Sequence, residues 1–138
     1  MYLIDKAAQS RETDPIRVAI FGAGFISKGL LSNLASKVGI RPVLVVNRTI
    51  DKATKAVSAA GYEPVRVETE QELEQVLAQP GAVGITDNPD LGVKSDSIEA
   101  VVEVTGTISY AAKLISDALT HGKHVINCLL YTSDAADE

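Results

Sequence analysis

Residues 16–34 join an apolar run, a glycine-rich turn and an amphipathic run, and this order constrains the whole fold. Ile16–Phe21 is apolar except for Arg17, so both faces of a strand formed here suit burial in a parallel sheet. The turn Gly22-Ala-Gly-Phe-Ile-Ser27 follows, and after it leucines recur at spacings of three and four, as in a helix with one apolar face. A strand, a tight turn and a helix in direct succession predict a parallel α/β unit.

The small residues of this turn indicate a phosphate site. Gly22 lets the chain leave the strand in a tight turn, and Gly24 lets the backbone approach a phosphate closely. Phe25 and Ile26 follow at the helix N-terminus, where backbone N–H groups can bind an anion. Ser27 stands where a third glycine usually packs the helix against the strand, so it departs from the pattern while remaining small. We therefore predict a dinucleotide pyrophosphate at this turn, with a purely structural turn as the alternative.

The next strand bears on which nucleotide is bound. Pro42–Val46 is that strand, and its end lies about 20 residues past the glycines, where an Asp or Glu usually binds the ribose hydroxyls. Here Asn47 is neutral, and Arg48 can form charge-assisted bonds with a phosphate. This pair favours NADP over NAD. NAD stays open because an arginine also follows the acid in NAD-specific sites, and Arg48 could equally be a solvated charge at a helix start.

Strand and helix patterns alternate along the rest of the chain. Strands are predicted at 64–67, 82–86, 98–104 and 123–127, and helices at 1–13, 49–60, 69–78 and 108–120. The last helix is expected to turn Ala111, Leu114, Ile115 and Leu119 inward. This alternation predicts an α/β fold with a doubly wound parallel sheet, the Rossmann arrangement. Right-handed crossovers give the core strands the order 3-2-1-4-5, with 82–86 as an extra short strand.

A third loop belongs at the same edge of such a sheet, because ligands lie beyond the carboxyl ends of its strands. Thr105, Gly106 and Thr107 follow the strand 98–104, and Gly106 would let the nicotinamide half approach the backbone. A plain strand-to-helix turn is the alternative. Glu103 is either a partly buried acid or the cap of a nearby N–H, and Lys123 is expected to interact with a helix C-terminus. No catalytic residue and no metal site is assigned.

Length and composition narrow the classes of partner. With 138 residues, 46 % of them hydrophobic, the chain can form one domain with a core. No apolar run is long enough to cross a membrane, and the N-terminal residues are too charged for a signal peptide. Aromatic residues are few and no basic patch is visible, which argues against nucleic acid. We therefore expect a cytoplasmic protein with a small-molecule substrate and neither a nucleic-acid nor a membrane partner; a homo-oligomer stays open.

The last eleven residues differ from the rest. Cys128–Glu138 resembles the translated read-through of a transposase adapter used in sequencing libraries, and such scars are excluded from fold reasoning. We expect an NAD(P)-binding Rossmann domain at 1–127, a non-native tail at 128–138, and a native protein that continues beyond Asn127. The only cysteine lies in the tail, so it says nothing about redox compartment. Without the tail, 13 basic and 15 acidic residues leave a net charge of −2.

Four stretches of the sequence carry motifs. They are Pro-Ile-Arg-Val-Ala-Ile-Phe-Gly-Ala-Gly at 15–24, Gly-Ile-Thr-Asp-Asn-Pro-Asp-Leu at 84–91, Asp-Ser-Ile-Glu-Ala-Val-Val-Glu-Val-Thr-Gly at 96–106 and Ala-Leu-Thr-His-Gly-Lys-His-Val-Ile-Asn at 118–127. Together they resemble homoserine-dehydrogenase-like oxidoreductases, especially the branch with a C-terminal SAF domain. The oxidoreductase group of glucose–fructose oxidoreductase shares the Gly-Lys-His-Val element and stays a rival. Ser27 and Asn47 depart from the usual family residues.

The resemblance implies hydride transfer between a nicotinamide cofactor and a small hydroxy or carbonyl compound. It also implies that the acid/base residues lie beyond Asn127, so that this chain alone is expected to be inactive. A non-catalytic nucleotide-binding or redox-sensing Rossmann module is the main alternative. A Rossmann-like methyltransferase is a weaker one, because it usually has an acid at the end of the second strand, where Asn47 stands.

Overall fold

The computed structural model describes residues 14–127, in which six strands alternate with five helices. The elements are β1 Ile16–Phe21, α1 Phe25–Leu34, β2 Ile40–Val46, α2 Ile50–Ala59, β3 Glu63–Arg66, α3 Glu70–Leu77, β4 Ala82–Thr86, α4 Pro89–Lys94, β5 Ala100–Glu103, α5 Ile108–Thr120 and β6 His124–Asn127. Every strand pair is parallel, which confirms the doubly wound α/β sheet. The helix predicted at 1–13 and the tail at 128–138 lie outside the described residues.

The strand order is β3-β4-β2-β1-β5-β6, which corrects the prediction at one place. Ala82–Thr86, predicted as an extra strand, lies between β2 and the strand at Glu63–Arg66. Its five residues are all buried, whereas β3 is partly exposed and contains Pro64. Proline cannot donate a ladder hydrogen bond, so β3 suits the sheet edge and β4 the interior.

Alternate residues of the strands feed two apolar layers, one on each face of the sheet. On one face, α1 and α2 cover residues such as Ile20 and Val102; on the other, α3, α4 and α5 cover residues such as Phe21 and Val101. Helix α5 turns Ala118 inward, not Leu119, which is 59 % exposed. Ala118 continues the stripe that passes through Ala111 and Leu114, while Leu119 lies one residue further around the helix. Within residues 14–127, no helix is long and apolar enough to cross a membrane.

Two short helices close their own N-termini with side chains. The Thr69 hydroxyl accepts a hydrogen bond from the Glu72 N–H at 3.1 Å at the start of α3. At the start of α4, Asn88 Oδ1 accepts from the Asp90 N–H at 3.1 Å. The other end of α3 is bound by Arg41, whose guanidinium donates to the carbonyls of Val76, Leu77 and Gln79. These contacts satisfy backbone groups that a helix end leaves unpaired.

Of two buried polar side chains, one is hydrogen-bonded and the other is not. Lys123 is 8 % exposed, and its ammonium donates to the backbone carbonyls of Ser95 and Ile98, the latter at 2.8 Å. It therefore joins the start of β6 to the loop before β5, rather than interacting with the C-terminus of a helix. Ser27 is fully buried on α1, and its hydroxyl has no hydrogen-bond partner. The lysine thus donates to buried carbonyls, while the serine buries a hydroxyl that makes no hydrogen bond.

We expect Lys123→Met to destabilise the fold by about 1–3 kcal/mol, because the buried carbonyls of Ser95 and Ile98 each lose a charged donor. The shift in the urea unfolding midpoint, followed by circular dichroism, measures this loss. Lys113→Met is the matched control, since Lys113 is exposed and only pairs with Asp117 on its own helix, and it should leave the midpoint nearly unchanged. Equal midpoints for the two variants would contradict a structural role for Lys123.

We expect Ser27→Ala to keep or raise the stability, by up to about 1 kcal/mol, because it removes a buried hydroxyl that lacks a partner. The same urea titration measures the change. Ser32→Ala on the exposed face of α1 is the control for the greater helix propensity of alanine. A loss of stability in Ser27→Ala relative to this control would show that the hydroxyl has a partner.

Candidate functional site

A cleft of about 560 Å³ opens at the carboxyl ends of β1, β2 and β5. The residues that line it come from the three loops predicted to converge at this edge: Gly22, Ala23, Gly24, Val46, Asn47, Arg48, Thr49, Lys52, Val104, Thr105, Thr107 and Tyr110. Six of the ten predicted cofactor residues are among them. The other four, Phe25, Ile26, Ser27 and Gly106, lie in the same loops but outside this lining.

Gly22 holds the ends of three strands together. Its φ is +117°, a conformation that other residues rarely adopt, and a Cβ there would lie 2.9 Å from the carbonyl oxygen of Val104. Its N–H donates to the carbonyl of Val46 at 2.9 Å, and the Val104 N–H donates to Phe21 at 2.9 Å. Only glycine fits here, because the backbone of Val104 lies so close to the end of β1.

Gly24 serves a different purpose. Its φ is −83°, which an alanine can adopt, and no atom lies within 4 Å of the position that a Cβ would take. Because Gly24 lines the cleft, its missing side chain leaves open space at the N-terminus of α1. This is the geometry that a pyrophosphate needs, since it must approach the backbone N–H groups directly.

Three helix N-termini open into the cleft without a side-chain cap. The N-cap residues of α1, α2 and α5 are Gly24, Thr49 and Thr107; all three line the cleft, and none closes its helix with a side-chain hydrogen bond. Helices α3 and α4, which start elsewhere, are capped. Uncapped helix starts offer backbone donors and a partial positive charge to an anion.

The side chains that follow the carboxyl end of β2 set the charge of the cleft. Asn47 shapes the turn by donating from its side-chain amide to the Thr49 carbonyl at 2.9 Å. Arg48 and Lys52 both line the cleft, and the lining described above contains no Asp or Glu. Lys52 was missed in the sequence analysis, although its position one turn into the predicted helix 49–60 was a usable signal. The cleft therefore presents two cations to a ligand, although the whole chain has a net negative charge.

Glu103 fixes the third loop from inside the sheet. It is fully buried at the end of β5, and its Oε2 accepts from the Thr105 N–H at 2.6 Å and also from the Thr105 hydroxyl. Both sequence interpretations of Glu103 are therefore combined, since it is a buried acid that caps a nearby N–H. It is absent from the lining, so its role is to position the loop. Gly106 in this loop has a φ of +80°.

An apolar floor and one aromatic ring complete the cleft. Val46 is 3 % exposed and Val104 is 7 % exposed, and they flank Gly22 at the bottom. Tyr110 lies in the first turn of α5 and is 39 % exposed. Burial raises the pKa of its phenol, while the positive charge of Arg48 partly offsets this shift. Tyr110 was also missed in the sequence analysis, because helix periodicity alone does not say which first-turn residue faces a cleft. Val104, the last residue of the predicted strand 98–104, was missed as well.

A second groove, of about 710 Å³, is lined by residues of α3, α4 and the loop before β5. Several of its polar side chains form hydrogen bonds with one another: the Glu70 carboxylate accepts from the hydroxyls of Ser95 and Ser97 at 2.8 and 3.0 Å. It has none of the glycine turns or uncapped helix starts of the first cleft. Across residues 14–127, no group of three or more His, Cys, Asp or Glu is placed to hold a metal ion.

Known proteins match parts of this chain. Residues 5–106 match the family described as shikimate / quinate 5-dehydrogenase. A glutamyl-tRNA reductase of Pyrobaculum arsenaticum is 36 % identical over 63 residues, which are 46 % of this chain and 15 % of that protein. One of Caldivirga maquilingensis is 46 % identical over 46 residues, or 33 % of this chain and 11 % of that protein. The aligned segments are thus a small part of these relatives.

Solved structures share the fold. A homoserine dehydrogenase from Thiobacillus denitrificans superposes with a TM-score of 0.62 at 26 % identity, covering 83 % of this chain and 23 % of that one. A scyllo-inositol dehydrogenase from Lactobacillus casei, with bound NAD(H), gives a TM-score of 0.58 at 22 % identity, covering 83 % and 28 %.

The family match covers well over half of the chain and runs from before β1 to the Thr105–Gly106 loop. It therefore includes the glycine turn, the end of β2 and the first part of the third loop. The predicted resemblance is confirmed at the level of a dehydrogenase-type NAD(P)-binding domain, and the chain belongs to the shikimate / quinate 5-dehydrogenase family.

Proposed function

We propose that this chain is the cofactor-binding part of an NAD(P)-dependent oxidoreductase that transfers hydride to or from a small hydroxy or carbonyl compound. The observation that carries the proposal is the cleft at which three uncapped helix N-termini meet a glycine turn. A dinucleotide has a doubly charged pyrophosphate between two nucleosides, so it suits a cleft that offers backbone donors at its centre.

Three features of the cleft support such a cofactor. Gly24 leaves open space at the start of α1, and Gly22 keeps the turn close to the strand ends. Glu103 accepts a hydrogen bond from the Thr105 N–H, which fixes the start of the third loop. When bound, the nicotinamide group would accept or donate the hydride. This chain would bind the cofactor and hold it in one orientation.

The charges at the end of β2 support NADP as the preferred cofactor. Arg48 and Lys52 line the cleft on the side where a dinucleotide site contacts the adenosine ribose, and no carboxylate accompanies them. Two cations favour a 2′-phosphate, and the missing carboxylate removes the repulsion that would exclude it. NAD lacks that phosphate and would gain less from this pair.

The substrate class belongs to the same proposal. The homoserine-dehydrogenase-like motifs at 84–91, 96–106 and 118–127, together with the homoserine dehydrogenase structure at 26 % identity, support a small hydroxy or carbonyl substrate. The family description names shikimate and quinate, and one structural relative is named for scyllo-inositol. We propose that the residues that select the substrate and move its proton lie in a native continuation beyond Asn127, in place of the tail at 128–138.

We expect Arg48→Asp to reverse the cofactor preference of the full chain, because it replaces the proposed phosphate partner by a carboxylate. NADPH binding should weaken by about 10- to 100-fold, the loss of one or two charge-assisted hydrogen bonds, while NADH binding should hold or improve. Calorimetric titration with both nucleotides measures this.

Lys55→Asp makes the same charge change on an exposed face of α2 that does not line the cleft, so it is the matched control. It should leave the ratio of the two affinities unchanged. If Arg48→Asp also leaves that ratio unchanged, Arg48 does not contact the 2′-phosphate.

We expect Gly24→Ala to keep the fold and to weaken binding of NADPH and NADH alike by at least about tenfold. The methyl group would occupy the space that the pyrophosphate needs beside the N-terminus of α1. Gly29→Ala is the control, since Gly29 is exposed on the same helix and a Cβ there also meets open space.

Calorimetry gives the affinities, and circular dichroism shows whether each variant is folded. Full affinity in a folded Gly24→Ala variant would argue against a pyrophosphate at this turn. If the untruncated protein binds the nucleotide but oxidises or reduces no hydroxy or carbonyl compound, a nucleotide-sensing module becomes the better description.

A further inference from the structure

The second groove, which is lined by α3, α4 and the loop before β5, shares no lining residue with the dinucleotide cleft. We call it the α3–α4 groove and define it by Glu74 and Leu77 of α3, Leu91 of α4, Asp96 of the loop and Arg17 of β1. Leu91 is buried and Leu77 is half-buried, so part of the floor is apolar. An inference about this groove is independent of the proposed function.

The rim of the α3–α4 groove has uncompensated negative charge. Arg17 and Lys94 are the two cations of the lining, and each is ion-paired with a carboxylate, at 3.5 and 3.6 Å respectively. Among residues 14–127, the carboxylates of Glu74 and Asp96 have neither a hydrogen bond nor an ion pair. The groove therefore suits a partner that brings apolar side chains together with two cations.

The described part of the chain begins at one end of this groove. Asp14 is its first residue, and Oδ1 of Asp14 lies 3.9 Å from Nη1 of Arg17. Arg17 in turn donates from Nε to the Ser97 carbonyl at 2.5 Å. Pro15 disfavours helical backbone at Asp14, so the helix predicted at 1–13 ends there and the chain can turn. A helix of 13 residues is about 20 Å long and α3, with eight, is about 12 Å, so the segment is long enough to lie along the groove.

The sequence of residues 1–13 complements the groove. In the predicted helix, Leu3 and Ala7 lie one turn apart on the same face. Lys6 flanks this face on one side and Arg11 flanks it on the other, whereas the two carboxylates of the segment fall on the opposite side of the helix. The segment thus offers an apolar strip between two cations.

We propose that residues 1–13 of this chain bind as a helix in the α3–α4 groove, with their apolar strip over Leu77 and Leu91. Burial of this strip covers the exposed part of the floor, and the hydrophobic effect favours the contact. The segment is tethered at Asp14, so it binds without the loss of translational freedom that a separate partner would have.

The tether also sets the order of the charged contacts. Arg11 is three residues from Asp14, so it pairs with Asp96, at the end of the groove where the described chain begins. Lys6 is about 7.5 Å further along the helix and pairs with Glu74 on α3. Both unpaired carboxylates of the groove thereby gain a cation.

A nitroxide on the segment tests where it binds in the full chain. Gln9→Cys places the label on the side of the helix away from Leu3, and Cys128→Ser removes the only native cysteine. In nuclear magnetic resonance spectra, the amide signals of Glu74 and Leu91 should broaden relative to the sample with reduced nitroxide. The signals of α2 should stay sharp, because α2 packs on the other face of the sheet from α3 and α4.

Charge reversal tests the pairing of Arg11 with Asp96. Arg11→Glu should lower the urea unfolding midpoint, because it sets two carboxylates against each other. Adding Asp96→Arg restores the attraction with the charges exchanged and should recover at least about half of that loss. Glu63→Arg is the matched control, since Glu63 is exposed on β3 outside the groove. Added to Arg11→Glu, it should recover none of the loss.

Each outcome decides the inference. Signals of α3 and α4 that stay sharp overturn it, and so does a double variant that recovers nothing beyond the control. A mixture of isotope-labelled chain without nitroxide and unlabelled chain with nitroxide identifies the occupant: broadening there means that the segment binds a second copy, which overturns the contact within one chain. The changed residues lie outside the lining of the dinucleotide cleft, so every variant should bind NADPH as the parent chain does.

Discussion

The close packing of Gly22 against the Val104 carbonyl is the constraint on which the rest of the site depends. A side chain at position 22 would begin 2.9 Å from that oxygen, so the ends of β1 and β5 could not stay this close. On the other side of β1, the Gly22 N–H donates a hydrogen bond to the Val46 carbonyl. Because the three strands end in register, the helices that follow them start around one small volume. The cleft is thus a consequence of how tightly three backbones can approach one another.

The charged side chains that line the cleft are positive, whereas the whole chain has a net negative charge. The chain carries a formal net charge of −5, yet the cleft lining has Arg48 and Lys52 and no carboxylate. Glu103 is close in sequence to the lining, but it is fully buried and its carboxylate accepts two hydrogen bonds from Thr105. Its carboxylate therefore binds the protein, although its charge still reaches the cleft, where it adds to the effect of burial in raising the pKa of Tyr110. Local arrangement, and not overall composition, decides which ions such a surface attracts.

Most of the architecture could be predicted because its signals are local. The bounds of β1, β4 and α5 follow from apolar runs and turn residues that any one segment displays by itself. The place of β4 could not be predicted in the same way, since strand order depends on which edges compete for the interior. The sequence shows that Ala82–Thr86 is mostly apolar and that β3 contains a proline. Only a comparison of the two strands indicates which of them lies inside the sheet.

The site shows the same division. The glycine turn, Asn47, Arg48 and the loop at Thr105 could be predicted because each directly follows a strand that ends at one edge of the sheet. Lys52 and Tyr110 stand inside helices, and whether they face the cleft depends on the rotation of each helix about its axis. That rotation is set by packing against the sheet. The buried contact of Lys123 with Ser95 and Ile98 could not be predicted either, because its partners are backbone carbonyls of a loop that is distant in the sequence.

The uncapped starts of α1, α2 and α5 carry a consequence for how this domain can evolve. A serine or aspartate cap at any of them would stabilise the free chain by about 1 kcal/mol, as Thr69 and Asn88 do for α3 and α4. The same cap would consume the donors that face the cleft. Stability and affinity for the proposed ligand therefore compete for the same few N–H groups, and a variant stabilised by capping these helices should bind that ligand less tightly.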